Sequence, residues 1–214
     1  MARAVLENYN GYPAIKIDGK VYPPMLGTVS CHVGTETVEG QEKLDYDVVF
    51  NEEYLKRLGE SGIKIFFLIC DTEWLIPGAF EIFKKQAEMV LNAIPDAYFM
   101  LRIGLHPPVS WLEENPDETY LCRDGSRNPI NLRTESYKSP YYAMYSLCSS
   151  KWREAAGKAL MDTYERIETL PFSNRIIGYF LAAGNTSEWY YTGVGCEDHS
   201  EAFRRNFEEY LRET

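Results

Sequence analysis

The sequence predicts an α/β fold of the (β/α)8 barrel type, with about the first four βα units present in this chain. Three observations predict it. Apolar strand-like runs alternate with amphipathic helical segments along the 214 residues. Joints from helix to strand are short, whereas those from strand to helix are long. Polar residues gather just past the strand ends, where parallel α/β folds build their sites. A full barrel needs eight units and typically about 250 residues, so the pattern runs halfway round. Residues 1–24 read as a hairpin and lead-in, and residues 25–214 as the half-barrel.

Ala14 to Tyr22 alternates apolar and polar residues around Asp18-Gly19, a dipeptide favoured in two-residue hairpin turns. Met25 to Ser30 is a short strand candidate, and residues 34–47, without a clear period, read as a loop. Asn51 is placed to cap a helix carrying Tyr54, Leu55 and Leu58, which Ser61-Gly62 stops before the strand Ile63 to Cys70. The helix Phe80 to Leu91 turns Phe83, Ala87, Val90 and Leu91 to one side and leads to the strand Ala97 to Ile103. The pattern recurs from Lys151 to Ile167, where Trp152 lies on a long apolar stripe and reads as core, before the strand Ile176 to Leu181. A last helix, Glu201 to Arg212, carries Phe203, Phe207, Tyr210 and Leu211.

Composition limits the ligands. A formal net charge of −10, with no basic run interleaved with aromatics, argues against nucleic acid and favours neutral or cationic partners. Sixteen tyrosines and four tryptophans suit stacking on sugar faces as well as filling a core. The five cysteines are widely spaced and form no C-x-x-C pair, which fits a reducing, cytoplasmic setting. Residues 1–20 lack an apolar leader core and no run of about 18 apolar residues occurs, so neither a signal peptide nor a membrane helix is expected. His32, His106 and His199 stand apart. Cys31-His32 and Cys70-Asp71 fall at strand ends but offer only weak metal-site patterns, and Gly193-Val-Gly195 does not directly follow a strand as a phosphate cradle would. No cofactor is expected.

The stretch Gly178 to Trp189 focuses the chemistry. An apolar strand stops at Ala182-Ala183-Gly184 and then presents Asn185, Glu188 and Trp189. Arg102, in an otherwise apolar strand, needs a partner or solvent, and His106 follows two residues beyond Gly104. Asp71 and Glu73, beside Trp74, suit hydrogen bonds to hydroxyls and ring stacking, with loop solvation as the alternative. Trp111 and Trp189 read as loop-borne. For Glu188 the alternative is a surface cap or ion pair, and for His106 a structural hydrogen bond.

Pro107 to Asp117, which includes Trp111-Leu112, then Asp124-Gly125, Cys148 to Ala155, Ile176 to Tyr179 and Phe203 to Arg212 together resemble, in order and spacing, the first half of family-42 β-galactosidases. Those enzymes belong to a large clan of (β/α)8 retaining glycosidases. The resemblance spans roughly residues 12–212 and fits least well over 31–50. It implies hydrolysis of β-linked sugars by two carboxyl groups, with Glu188 as acid/base and the nucleophile on a later strand outside this chain. It further implies that Arg102, His106, Asn185, Asp71, Trp74, Trp111 and Trp189 face substrate, and that four open strands need self-association or the missing C-terminal half-barrel. The chain departs from the clan in one respect, because Thr186 and Ser187 separate Asn185 from Glu188 where the clan places them side by side. A non-catalytic carbohydrate-binding or structural (β/α) domain is the second reading, and a metal-dependent isomerase a third.

Overall fold

A computed structural model describes residues 3–28, 35–38, 41–44, 52–125, 127, 145–184, 189 and 197–214. The chain opens with β1 (Ala4–Tyr9), β2 (Tyr12–Ile17) and β3 (Lys20–Tyr22), an antiparallel sheet in chain order. Its turns are Asn10-Gly11 and Asp18-Gly19. All four residues have positive φ, between 47° and 88°, the pairing that two-residue hairpins of this hand require. The second turn matches the sequence reading. Asn10-Gly11 at the first turn is a dipeptide of the same turn-forming type.

Next come β4 (Leu26–Thr28), β5 (Thr35–Val38) and β6 (Gln41–Leu44). β5 and β6 pair antiparallel with Val38 opposite Gln41, which corrects the reading of residues 34–47 as a loop. Two four-residue strands are too short for alternation to stand out from a polar background. α1 (Glu52–Glu60) follows, with its proposed cap Asn51 outside the described residues. The remainder is β7 (Ile65–Ile69), α2 (Ala79–Ala93), β8 (Tyr98–Gly104), α3 (Val109–Glu114), α4 (Ser150–Glu168), β9 (Ile176–Ala182) and α5 (Glu201–Glu213).

A four-stranded parallel sheet has the order β4-β7-β8-β9. Spatial order follows chain order, with no reversal of the kind that marks a doubly wound sheet. The fold class is thus mixed α/β, with one parallel and two antiparallel sheets among the described residues. Among the described residues, no helix is long and apolar enough to cross a membrane.

The chain divides into two compact units. The first comprises Met1–Asp71, Gly78–Ile103 and Tyr164–Phe180. Inside it, Ile15, Ile17 and Tyr22 of the hairpin bury with Ile65 of β7, flanked by Ala4, Tyr98 and Ile177. Period-2 alternation in β2 turns one face inward, so the hairpin and the parallel sheet share apolar surface. Phe83 of α2 meets Phe172 edge-on, and Phe172 meets Phe99 of β8 in the same way. These contacts seat α2 on the sheet through the face that its sequence period marks out.

The second unit comprises Thr72–Pro77, Gly104–Thr163 and Leu181–Thr214. Ser200 caps α5 by accepting the Phe203 amide at 3.1 Å. Asp198 receives the Ser146 hydroxyl at 2.6 Å and the Ser200 amide at 2.9 Å. Glu118 takes the Ser149 hydroxyl and the Arg205 guanidinium, each at 2.6 Å, joining the start of α4 to α5. Phe203, Phe207, Tyr210 and Leu211 of α5 are exposed, so the apolar positions of the last helix do not pack as a core stripe.

Candidate functional site

Within the second unit, the segments that follow β7, β8 and β9 come together around aromatic rings. After β7, the buried Thr72 carbonyl accepts the Leu75 and Ile76 amides, folding a turn that carries Trp74. The indole of Trp74 meets that of Trp111 edge-on, with centroids 6.1 Å apart. Trp111 lies in α3 rather than on a loop, because Pro108 starts a helical turn whose Trp111 amide bonds back to the Pro108 carbonyl. Both rings are half-buried.

The mouths of β8 and β9 are joined by a second group. The Leu105 amide donates to the Ala182 carbonyl at 2.8 Å, extending the ladder one residue past β8. The Leu105 carbonyl accepts the Trp152 indole N–H at 3.0 Å. Tyr145 stacks on Trp152 with centroids 4.3 Å apart and planes 25° apart. Its hydroxyl accepts the Gly184 amide at 2.9 Å and forms a longer bond, 3.3 Å, with Nδ1 of His106. Tyr145 is 1% exposed, and burial holds its phenol far above the ordinary tyrosine value, the Gly184 amide opposing in part. It stays a neutral hydroxyl.

Trp189 caps this group. Its amide donates to the Ala183 carbonyl at 2.8 Å and its indole N–H to the Leu181 carbonyl at 2.7 Å. Its ring edge meets Trp152 at 6.2 Å. The residue has φ of 58°, a left-handed conformation costing roughly 1–2 kcal/mol in a residue with a Cβ, and the two hydrogen bonds offset that cost. About half of Trp189 remains exposed (47%), which leaves an aromatic surface open to solvent beside the buried Tyr145–Trp152 stack.

The described site residues expected from the sequence therefore separate into three groups. Trp74 and Trp111 touch each other, while His106 and Trp189 both touch the Tyr145–Trp152 stack. Asp71 and Arg102 belong to the first unit and are half-buried, and the Arg102 carbonyl accepts the Cys70 amide at 2.8 Å. Arg102 lies inside β8, which extends to Gly104. Asn185 and Glu188 lie outside the described residues, as do Cys31, His32 and Cys196.

His106 is buried, with Nδ1 3.3 Å from the Tyr145 hydroxyl. Cys148 is a half-buried thiol whose pKa is raised by burial and then by the nearby Asp198 charge, so it is a poor nucleophile. Among the described residues, no three His, Cys, Asp or Glu side chains converge as a metal site.

Tyr145 was missed by sequence reasoning. Its partners His106 and Gly184 each lie 39 residues away, and no local pattern marks it beyond the tyrosines at 141 and 142.

In comparisons with known proteins, the chain matches no family model, no curated protein and no solved structure.

Proposed function

We propose that this chain acts on β-linked carbohydrate as the acid/base half of a (β/α)8 retaining glycoside hydrolase, similar to family-42 β-galactosidases. One observation carries the proposal: the segments following three successive parallel strands bring Trp74, Trp111, His106 and Trp189 into one compact unit, with Trp189 open to solvent. Flat apolar rings flanked by hydrogen-bonding groups suit the faces and hydroxyls of a pyranose. The sequential strand order supports a barrel in preference to a doubly wound sheet.

In this reading Glu188, immediately before Trp189, protonates the leaving oxygen and then activates water, and Asn185 orients the sugar. The nucleophilic carboxylate comes from a further half-barrel, supplied by another segment or by a partner. Exposed Phe180 and Leu181 on β9, and the apolar side chains of α5, offer surface for such an addition. A non-catalytic carbohydrate-binding domain would use the same aromatic surface, and turnover separates the two.

Binding is tested on the 214-residue chain by titrating tryptophan fluorescence with methyl β-galactoside and methyl β-glucoside. Saturable quenching is expected, weakened about tenfold in Trp189→Ala, which corresponds to about 1.4 kcal/mol of ring contact. A flat titration with every β-glycoside would refute the carbohydrate reading. Hydrolysis is tested with chromogenic β-glycosides on the chain combined with its complementary half. Turnover should be lost in Glu188→Ala and partly restored by azide, with a β-glycosyl azide as product. Undiminished turnover in that variant removes Glu188 from the mechanism.

A further inference from the structure

We propose that β1 is an interaction edge for a second copy of this chain, the two β1 strands pairing antiparallel about Val5 so that Arg3 of each copy faces Glu7 of the other. The inference is independent of the carbohydrate reading and concerns the first compact unit alone.

The backbone of β1 is oriented for such pairing. β1 stands at the end of the sheet β1-β2-β3, so one side of it has no neighbouring strand among the described residues. Directly before it, Arg3 accepts the Asp18 amide on its carbonyl at 3.0 Å and donates its own amide to Oδ1 of Asp18 at 3.0 Å. Arg3 thus bonds toward β2. Bonding direction alternates along a strand, so Val5 and Glu7 also bond toward β2, while Ala4, Leu6 and Asn8 turn their N–H and C=O groups to the open edge. Edge strands are commonly guarded by Pro, Lys or a bulge. β1 has none of these: it reads Ala-Val-Leu-Glu-Asn-Tyr, and its register with β2 runs unbroken from Ala4 opposite Ile17 to Tyr9 opposite Tyr12.

The side chains agree with the backbone. Leu6 stands opposite Ile15 and Ala4 opposite Ile17, on the face where both isoleucines are buried, yet Leu6 is 81% exposed. Val5, on the other face, is 41% exposed. A strand added beyond β1 would cover both.

Charge identifies the added strand as β1 itself. Two-fold antiparallel pairing must bring outward-bonding residues opposite one another, which permits a centre on a residue and forbids one between two residues. A centre on Val5 sets Arg3 opposite Glu7 twice, Ala4 opposite Leu6 twice, and Val5 opposite its own copy. Opposite charges directly across a pair stabilise it, and like charges destabilise it. A centre on Leu6 would instead set Arg3 against Tyr9 and Glu7 against Val5, with no charge matched. Glu7 already holds Lys16 of its own chain at 3.4 Å through Oε2, and its Oε1 can accept the guanidinium of the second copy. The net charge of −10 makes copies repel at long range, and the two Arg3–Glu7 pairs oppose that repulsion locally.

Sedimentation velocity on the 214-residue chain tests the edge. A concentration-dependent equilibrium between monomer and dimer is expected, and a monomer throughout a series up to about 1 mM overturns the proposal. Leu6→Pro removes an outward N–H and leaves the bonds to β2 in place, so dimerisation is expected to weaken at least about tenfold. Arg3→Glu and Glu7→Lys, each alone, set like charges across the pair and are expected to weaken it similarly. An equimolar mixture of those two variants again joins opposite charges at both contacts, and the dimer is expected to return. A mixture that stays monomeric overturns the proposal. So does a wild-type dimer that persists in every variant, because it then forms through another surface, such as the exposed side of α5. Should Leu6→Pro fail to fold by circular dichroism, the charge variants and their mixture decide.

Discussion

The Tyr145 hydroxyl accepts the backbone amide of Gly184 at 2.9 Å across 39 residues of chain. Through that bond the segment leading into α4 fixes the turn that leaves β9. Tyr145→Phe leaves the Gly184 amide buried without its acceptor, so stability is expected to fall by about 1–3 kcal/mol in urea denaturation. Tyr145→Leu, which also loses the stack on Trp152, should cost more. Unchanged stability in Tyr145→Phe would show that the hydroxyl contributes nothing, and equal losses in the two variants that the stack adds nothing.

Tyr179 presents the opposite case. Its hydroxyl is buried and finds no hydrogen-bond partner among the described residues. Burial, followed by the neighbouring Glu168, Tyr164 and Cys70, pushes its pKa up to about 12. Because the folded-state value is raised, this group leaves stability independent of pH below about pH 10, the ordinary tyrosine value, and lowers it as pH rises toward 12. Tyr179→Phe is expected to raise stability by about 1 kcal/mol at neutral pH and to flatten the alkaline decline. Thermal melts at neutral and alkaline pH measure both effects.

Gly27 of β4 lies against the fully buried Phe66 ring, and an added Cβ would stand 2.6 Å from its nearest carbon. The ring has nowhere to retreat. Gly27→Ala is expected to destabilise by about 1–3 kcal/mol through overpacking, and Phe66→Leu in the same chain should recover part of the loss. A neutral Gly27→Ala would mean that β4 sits further from β7.

Lys64 and Asp96 form a 2.6 Å ion pair that ties the start of β7 to the turn before β8. Its hydrogen bond to Lys64 holds the Asp96 carboxyl below its ordinary value, against some desolvation. The sign follows: the pair stabilises the fold above about pH 4 and loses that effect as pH falls through the depressed value. Asp96 is half exposed, so the worth is about 0–1 kcal/mol. Lys64→Met should raise the Asp96 midpoint in an NMR titration and make the acid limb of stability shallower. An unmoved midpoint removes the pair from the account.

Much of the scaffold was legible from local signals. Period-3.6 stripes marked α1, α2 and α4, apolar runs marked β7, β8 and β9, and Asp18-Gly19 marked its hairpin, because propensity and periodicity act over a few residues. Trp152 was legible as core for the same reason, and it is 2% exposed. Of the candidate site, the positions of Trp74, His106, Trp111 and Trp189 just beyond strand ends could be seen in advance.

The sequence by itself thus determined the order and type of most elements and which residues stand at the strand mouths. Only the tertiary structure decided the partners: Trp74 with Trp111, Tyr145 with both His106 and Gly184, and Trp152 under Trp189. It also decided that α5 leaves Phe207 and Tyr210 exposed and that β5 and β6 pair antiparallel. The physical reason is range. A helix or strand is selected by neighbours in sequence, whereas a buried hydroxyl must find donor and acceptor wherever packing brings them, here 39 residues to either side.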